Sequence, residues 1–188
     1  MKKLAIFGSG SGSNAEKICA YFTRFSDIEV AFICTNNKNA FIVTRAKKLN
    51  LPVVYTTKND LANFSILHKV LKDYNVDYIV LAGFLLKIPS RMVNYYPKRI
   101  INLHPSLLPK YGGKGMYGRN VHKAVLENKE VESGITIHFV NKNYDEGGVI
   151  LQKRCVLSFD ETVESLEKKI RDLEFEYFPK TIEKLLLK

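Results

Sequence analysis

Short β-branched runs and longer amphipathic stretches alternate along the first half of the chain. The apolar runs are LAIFG (4–8), VAFIC (30–34), PVVY (52–55) and YIVLAG (78–83). Between them, apolar positions recur at helical spacing over 13–25, 39–49 and 60–74. A strand that must be followed by a helix before the next strand is the pattern of a parallel sheet, because parallel neighbours need a crossover. The second half continues with RIINLH (99–104), a glycine-rich stretch over 112–118, a helix over 119–128, strands ITIHFV (135–140) and VILQKRCVL (149–157), and a long helix over 161–186. The last two strands are close enough in sequence to pair as neighbours. These elements predict an α/β fold: one Rossmann-like domain over 1–188, with a mostly parallel twisted sheet, helices on both faces and a long C-terminal helix.

Composition narrows the class. A chain of 188 residues with 46% apolar content can bury one sizeable core. No stretch approaches the ~18 consecutive apolar residues of a membrane span, and the start MKKLAIFGSG has too short an apolar run for a signal-peptide core. Cys19, Cys34 and Cys155 are odd in number and far apart, so neither a disulfide framework nor a metal-binding pair is indicated, and a reducing cytoplasm is expected. The 29 Lys and Arg against 19 Asp and Glu give a net charge of +10, which favours anionic partners. Its basic residues are scattered and accompany no nucleic-acid motif, so small phosphorylated molecules are expected rather than nucleic acid or membrane.

Two segments carry chemistry. Gly8-Ser9-Gly10-Ser11-Gly12-Ser13-Asn14 follows the first strand and enters a helix, with Ser13 and Glu16 spaced as a capping box. Exposed backbone N–H groups at a helix N-terminus suit a phosphate, although a plain tight turn has the same composition. A dinucleotide site is disfavoured: Ser13 stands where a third glycine belongs, and the second strand ends Cys34-Thr35-Asn36-Asn37 with no acid for a ribose. The second segment is Asn102-Leu103-His104-Pro105. Strand alternation places Asn102 and His104 on one side at the strand's C-terminal end, where open α/β sheets hold ligands. An amide N–H can donate to a developing oxyanion, and an imidazole can move a proton near neutral pH. A lone strand-end histidine is also a common surface residue.

The run Asn102-Leu103-His104-Pro105-Ser106-Leu107-Leu108-Pro109-Lys110-Tyr111 resembles the active-site segment of the folate-dependent formyltransferases. Tyr144-Asp145-Glu146-Gly147-Gly148 through Gln152 resembles that superfamily's aspartate loop and following strand. Leu81-Ala82-Gly83-Phe84 resembles the strand end that opens its folate pocket, and Gly10 to Asn14 the phosphate loop of the branch acting on glycinamide ribonucleotide.

The resemblance covers most of the chain. It implies formyl transfer from 10-formyltetrahydrofolate, as co-substrate, to the amine of 5-phosphoribosylglycinamide, with no metal. Asn102, His104 and Asp145 would be catalytic. Asn102 and protonated His104 would donate to the oxyanion, and Asp145 would raise the pKa of His104. Gly12, Ser13 and Asn14 would hold the phosphate, and Glu174 would contact the ribonucleotide. Leu85, Leu86, Lys87 and Ile88, with Asn102, would line the folate pocket. His122 matches a loop histidine that approaches the substrate, and 112–118 would close as a lid. The N-terminal half would bind the ribonucleotide phosphate, and the C-terminal half would carry catalysis and folate binding.

Bland readings stand beside these: Asp145 as a turn residue, Glu174 as a surface glutamate, 112–118 as a linker. A sugar-nucleotide formyltransferase, a formylfolate hydrolase and a non-catalytic basic binding module are the rival functions. The partners expected are these two small molecules, and the chain is expected to be a monomer or a homodimer.

Overall fold

The computed structural model describes residues 1–187. Seven strands form one sheet: β1 (Lys2–Phe7), β2 (Ile28–Thr35), β3 (Val53–Tyr55), β4 (Tyr78–Leu81), β5 (Ile100–His104), β6 (Glu132–Phe139) and β7 (Val149–Val156). Their order is β3-β2-β1-β4-β5-β6-β7. The first five are mutually parallel, and β6 and β7 are antiparallel to their neighbours. β6 and β7 pair directly, as their closeness in sequence predicts.

Helices cover both faces, so β1 and β4 are apolar on both sides. One face carries α1 (Ser13–Phe22), α2 (Phe41–Lys48), α6 (Arg119–Glu127) and α7 (Val163–Leu186), packed on Leu4, Ile6, Ile33, Ile101 and Ile137. The other carries α3 (Lys58–Asn63), α4 (Ser65–Asp73) and α5 (Ser90–Tyr95), packed on Phe7, Phe32, Ile79 and Leu81. Chain order reverses between β1 and β4, and the loops leaving these two strands part there. That topological switch point is where such sheets open a crevice.

Several local expectations change. The helix expected over 60–74 is two, split at Phe64, whose φ of 62° lies in the left-handed region and ends α3. α5 has no counterpart in the sequence reading, and β6 begins at Glu132 rather than 135. The first helix ends at Phe22 rather than 25. Ser13 and Glu16 form no capping box. The cap is Gly12, left-handed at φ 76° with no side-chain hydrogen bond, and Glu16 instead meets Arg45. A Cβ on Gly12 would lie 2.5 Å from Ile42 Cγ1, so both backbone and space require glycine. The capping boxes form elsewhere, at Thr57 with Asp60 and at Thr162 with Ser165.

Candidate active site

The crevice at the switch point is a cleft of about 720 Å³. Its walls include Gly12, Ser13, Asn14, Leu85, Leu86, Lys87, Ile88, Asn102, His104, His122, Asp145 and Glu174, the residues to which the resemblance gives a catalytic or binding role.

One wall is the glycine loop and the facing part of α7. Asn14 Nδ2 donates to Glu174 Oε2 at 2.8 Å, joining the loop to the helix across 160 residues of sequence. Glu174 is half-buried, and burial pushes its pKa up to about 7 against the opposing pulls of Asn14 and Arg171. Arg171 and Glu167 line the cleft beside it. Buried Ser9 ties three segments together: its N–H donates to Gly83 O, its Oγ donates to Asn36 Oδ1, and it accepts from the Leu85 N–H at 2.9 Å.

The centre stands at the C-terminal end of β5. His104 is 3% exposed, and its Nε2 lies 2.7 Å from the Tyr111 carbonyl. A carbonyl only accepts, so Nε2 carries the hydrogen, and neutral His104 turns the lone pair of Nδ1 towards Asp145 Oδ2, 3.6 Å away. Burial pushes the His104 pKa down. Asp145 and the Tyr111 carbonyl act upward, and His138 adds to the fall. Asp145 therefore acts on His104 in the expected direction, but desolvation outweighs it, and the net shift is opposite to the one expected.

Burial by itself would raise Asp145. The nearby His138 and His104 rings and the Gly113 N–H at 2.9 Å outweigh it and hold the carboxyl below its usual range. Asn102 Nδ2 lies 3.0 Å from His138 Nε2 and 3.4 Å from Asp145 Oδ1.

The sequence directs this assembly. Pro105 stops β5, and the turn after it is held by Thr136 of β6. Thr136 Oγ1 donates to Ser106 O at 2.7 Å and accepts the Leu108 N–H at 3.0 Å, while Gln152 of β7 donates to Leu108 O. Ser106 Oγ also donates to Lys110 O at 2.7 Å, so these bonds hold the turn against β6 and β7 up to the residue before Tyr111, whose carbonyl meets His104. Asp145 is presented from a left-handed backbone at φ 54°.

The remaining wall is the loop leaving β4. Ile88 is buried, whereas Leu85 is 50% exposed and offers an apolar surface to the cleft. Lys87 Nζ stands 5.2 Å from the centroid of the Tyr144 ring, a cation–π contact spanning the mouth. The 112–118 segment lies along the opening, with Gly113 at φ 99°, Gly115 at φ 89° and Gly118 at φ 53°. His122, at the start of α6, is 3% exposed and has no partner for Nδ1 among the described residues.

A formyl transferase family profile matches residues 2–182 of this sequence. The chain belongs to the formyl transferase family. Formyl transferases of this family imply a folate-derived formyl donor and small-molecule substrates. The chain is 41% identical to the chloroplastic phosphoribosylglycinamide formyltransferase of Arabidopsis thaliana over 96% of its own length. It is 31% identical to the Haemophilus influenzae phosphoribosylglycinamide formyltransferase over 97%. It spans 64% of the Arabidopsis protein and 86% of the Haemophilus one. Among solved structures, phosphoribosylglycinamide formyltransferase from Bacillus halodurans superposes with a TM-score of 0.88 at 32% identity, covering 98% of this chain and 95% of that one. Glycinamide ribonucleotide transformylase 1 from Geobacillus kaustophilus gives 0.89 at 31%, covering 99% of each.

Sequence reading missed two constituents of this formyl transferase cleft. His138 lies in an apolar run that reads as ordinary core, and only the β5–β6 register, which sets Asn102 opposite His138, identifies it. Arg171 reads as one of many scattered cations until α7 is laid against the glycine loop. Among the described residues, no group of three or more His, Cys, Asp or Glu side chains could hold a metal, and no helix is long and apolar enough to cross a membrane.

Proposed function

We propose that this chain transfers the formyl group of 10-formyltetrahydrofolate to the amine of 5-phosphoribosylglycinamide. The reading is carried by the convergence of Asn102, His104 and Asp145 at the end of β5, in one cleft with a glycine loop suited to a phosphate. In the proposed complex, the backbone of Gly12, Ser13 and Asn14 holds the 5′-phosphate, and Glu174 meets the ribose. Leu85, Leu86, Lys87 and Ile88 cover the pterin. The ribonucleotide site thus draws on the N-terminal half plus α7, and the folate wall on the loop after β4. The protein would work in the cytoplasm, as a monomer or homodimer.

The amine attacks the formyl carbon, and charge develops on the formyl oxygen. Asn102 donates to that oxyanion, a contribution of ~10²–10³ in rate where one such donor is removed. Neutral His104 has its Nδ1 lone pair facing Asp145 across a 3.6 Å gap between two acceptors. A hydrogen of the attacking amine, or of a water, fits between them. His104 then takes up the amine's proton, becomes the charged partner of Asp145, and delivers that proton to the departing folate N10. His122 lines the same cleft, and in this reading it approaches the ribonucleotide when 112–118 closes.

The experiment is a spectrophotometric assay of folate release from 10-formyltetrahydrofolate or its dideaza analogue, with and without the ribonucleotide. Turnover that requires the ribonucleotide and is lost in His104→Ala supports the reading. Turnover without it assigns a hydrolase. No turnover with either overturns formyl transfer to this acceptor.

A further inference from the structure

His138 is 2% exposed, and nothing in the proposed reaction uses it, yet it touches the amide that donates to the oxyanion. Its Nδ1 lies 2.8 Å from the Phe139 carbonyl. That carbonyl can only accept, so Nδ1 carries the ring hydrogen, and in the neutral ring Nε2 is an acceptor. The 3.0 Å contact with Asn102 Nδ2 is then an amide N–H donated to His138. A side-chain amide is symmetric in shape but not in chemistry: turned over, it would set a carbonyl oxygen against the Nε2 lone pair. The titratable side chains facing the ring are Asp145, with Oδ1 3.6 Å from Nε2, and His104 on the neighbouring strand.

From this geometry we infer that His138 is a positioning residue. By accepting one Asn102 N–H, it holds the amide so that the other N–H points into the reaction centre. That second hydrogen makes only a long contact in the free protein, 3.4 Å to Asp145 Oδ1, which an incoming oxyanion can replace. Without His138, only that long contact to Asp145 distinguishes the two ends of the amide, and an incoming oxyanion replaces it. The turned-over amide then presents an acceptor to the developing negative charge. The preference is built into the strand pairing, since β5 and β6 place Asn102 and His138 opposite each other. The inference about rate rests on the formyl transfer reading; the inference about hydrogen placement does not.

Two measurements separate them. Long-range 1H–15N spectra of the free, full-length protein, with His138 identified by its loss in His138→Gln, are expected to show the hydrogen on Nδ1 and none on Nε2. A hydrogen on Nε2 overturns the proposal whether or not the protein transfers formyl groups. In the turnover assay, His138→Leu is expected to lower kcat about 100-fold while leaving the KM of both substrates nearly unchanged. His138→Gln, whose side-chain oxygen can accept from Asn102, is expected to recover most of that loss. Equal losses in the two variants, or a loss confined to KM, overturn the positioning role. If the wild-type protein proves inactive, the Asn102 side-chain amide signal still decides: it should shift in His138→Leu and hold in His138→Gln, and an unmoved signal in both overturns the proposal.

Discussion

At the scale of single residues, the site is a set of acceptors and donors whose partners are almost all fixed before substrate arrives. Asp145 has the most ties, facing His104, His138, Asn102 and the Gly113 N–H at once. Asp145→Asn keeps the shape but removes the charge that would stabilise protonated His104. Its kcat is expected to fall by about 10²–10⁴ with little change in KM, read by steady-state turnover.

Glu174 makes a different prediction. Its folded-state pKa, about 7, stands above its ordinary value, so the folded protein holds a proton that the unfolded chain releases. Stability therefore falls as pH rises from the ordinary carboxyl range through about 7. Glu174→Gln stays neutral and can still accept from Asn14. In urea unfolding it should match the wild type near pH 4 and exceed it near pH 8.

Asn102 and His104 were legible because strand alternation and a terminating proline are written in adjacent residues. His138 was not, since its meaning depends on a strand register set by thirty-odd intervening residues. Asp145 was legible only through resemblance, because its left-handed backbone leaves no periodic trace.

Elements show where local sequence signals compete. Ser13 and Glu16 have the spacing of a capping box, but the loop must turn tightly above Ile42, and Gly12 takes the cap position in a conformation that side chains resist. Gly12→Ala should cost about 1–3 kcal/mol, from strain and the clash with Ile42, and weaken ribonucleotide binding. Thermal unfolding and calorimetric titration would read the two losses.

The turn after β5 depends on β6 in a comparable way. Thr136→Val removes the hydroxyl that serves both Ser106 O and the Leu108 N–H, leaving buried groups unmatched. A loss of about 1–3 kcal/mol is expected in chemical denaturation. α5 escaped sequence reading because it is six residues long, follows Pro89 and presents only Met92 fully to the core, too little for a helical period. The split at Phe64 was hidden for the converse reason, because apolar spacing continues across it while the backbone reverses hand.

The whole molecule explains why distant stretches of chain meet. Reversal of strand order between β1 and β4 opens a crevice, and β5 ends beside it, so residues from 10 to 174 share one cleft. This architecture was legible from the alternation of strand and helix. The identity of the cleft's far wall was not, because α7 reads simply as a long helix until packing shows which of its faces meets the glycine loop. A ligand confined to the folded cleft must stabilise the fold. Glycinamide ribonucleotide at a hundred times its Kd should add about 2.7 kcal/mol, seen as a rise in Tm that grows with ligand concentration.

Ser9 gives this arrangement a further property. One buried hydroxyl connects the glycine loop, the end of β2 and the first backbone amide of the Leu85 wall, so those surfaces share a peg with little slack. If binding on one side moves that peg, affinity on the other side changes, and by linkage the factor is the same in each direction. Ser9→Ala should move the ratio of folate affinities measured with and without ribonucleotide towards one, turning a cooperative pair of sites into two independent ones.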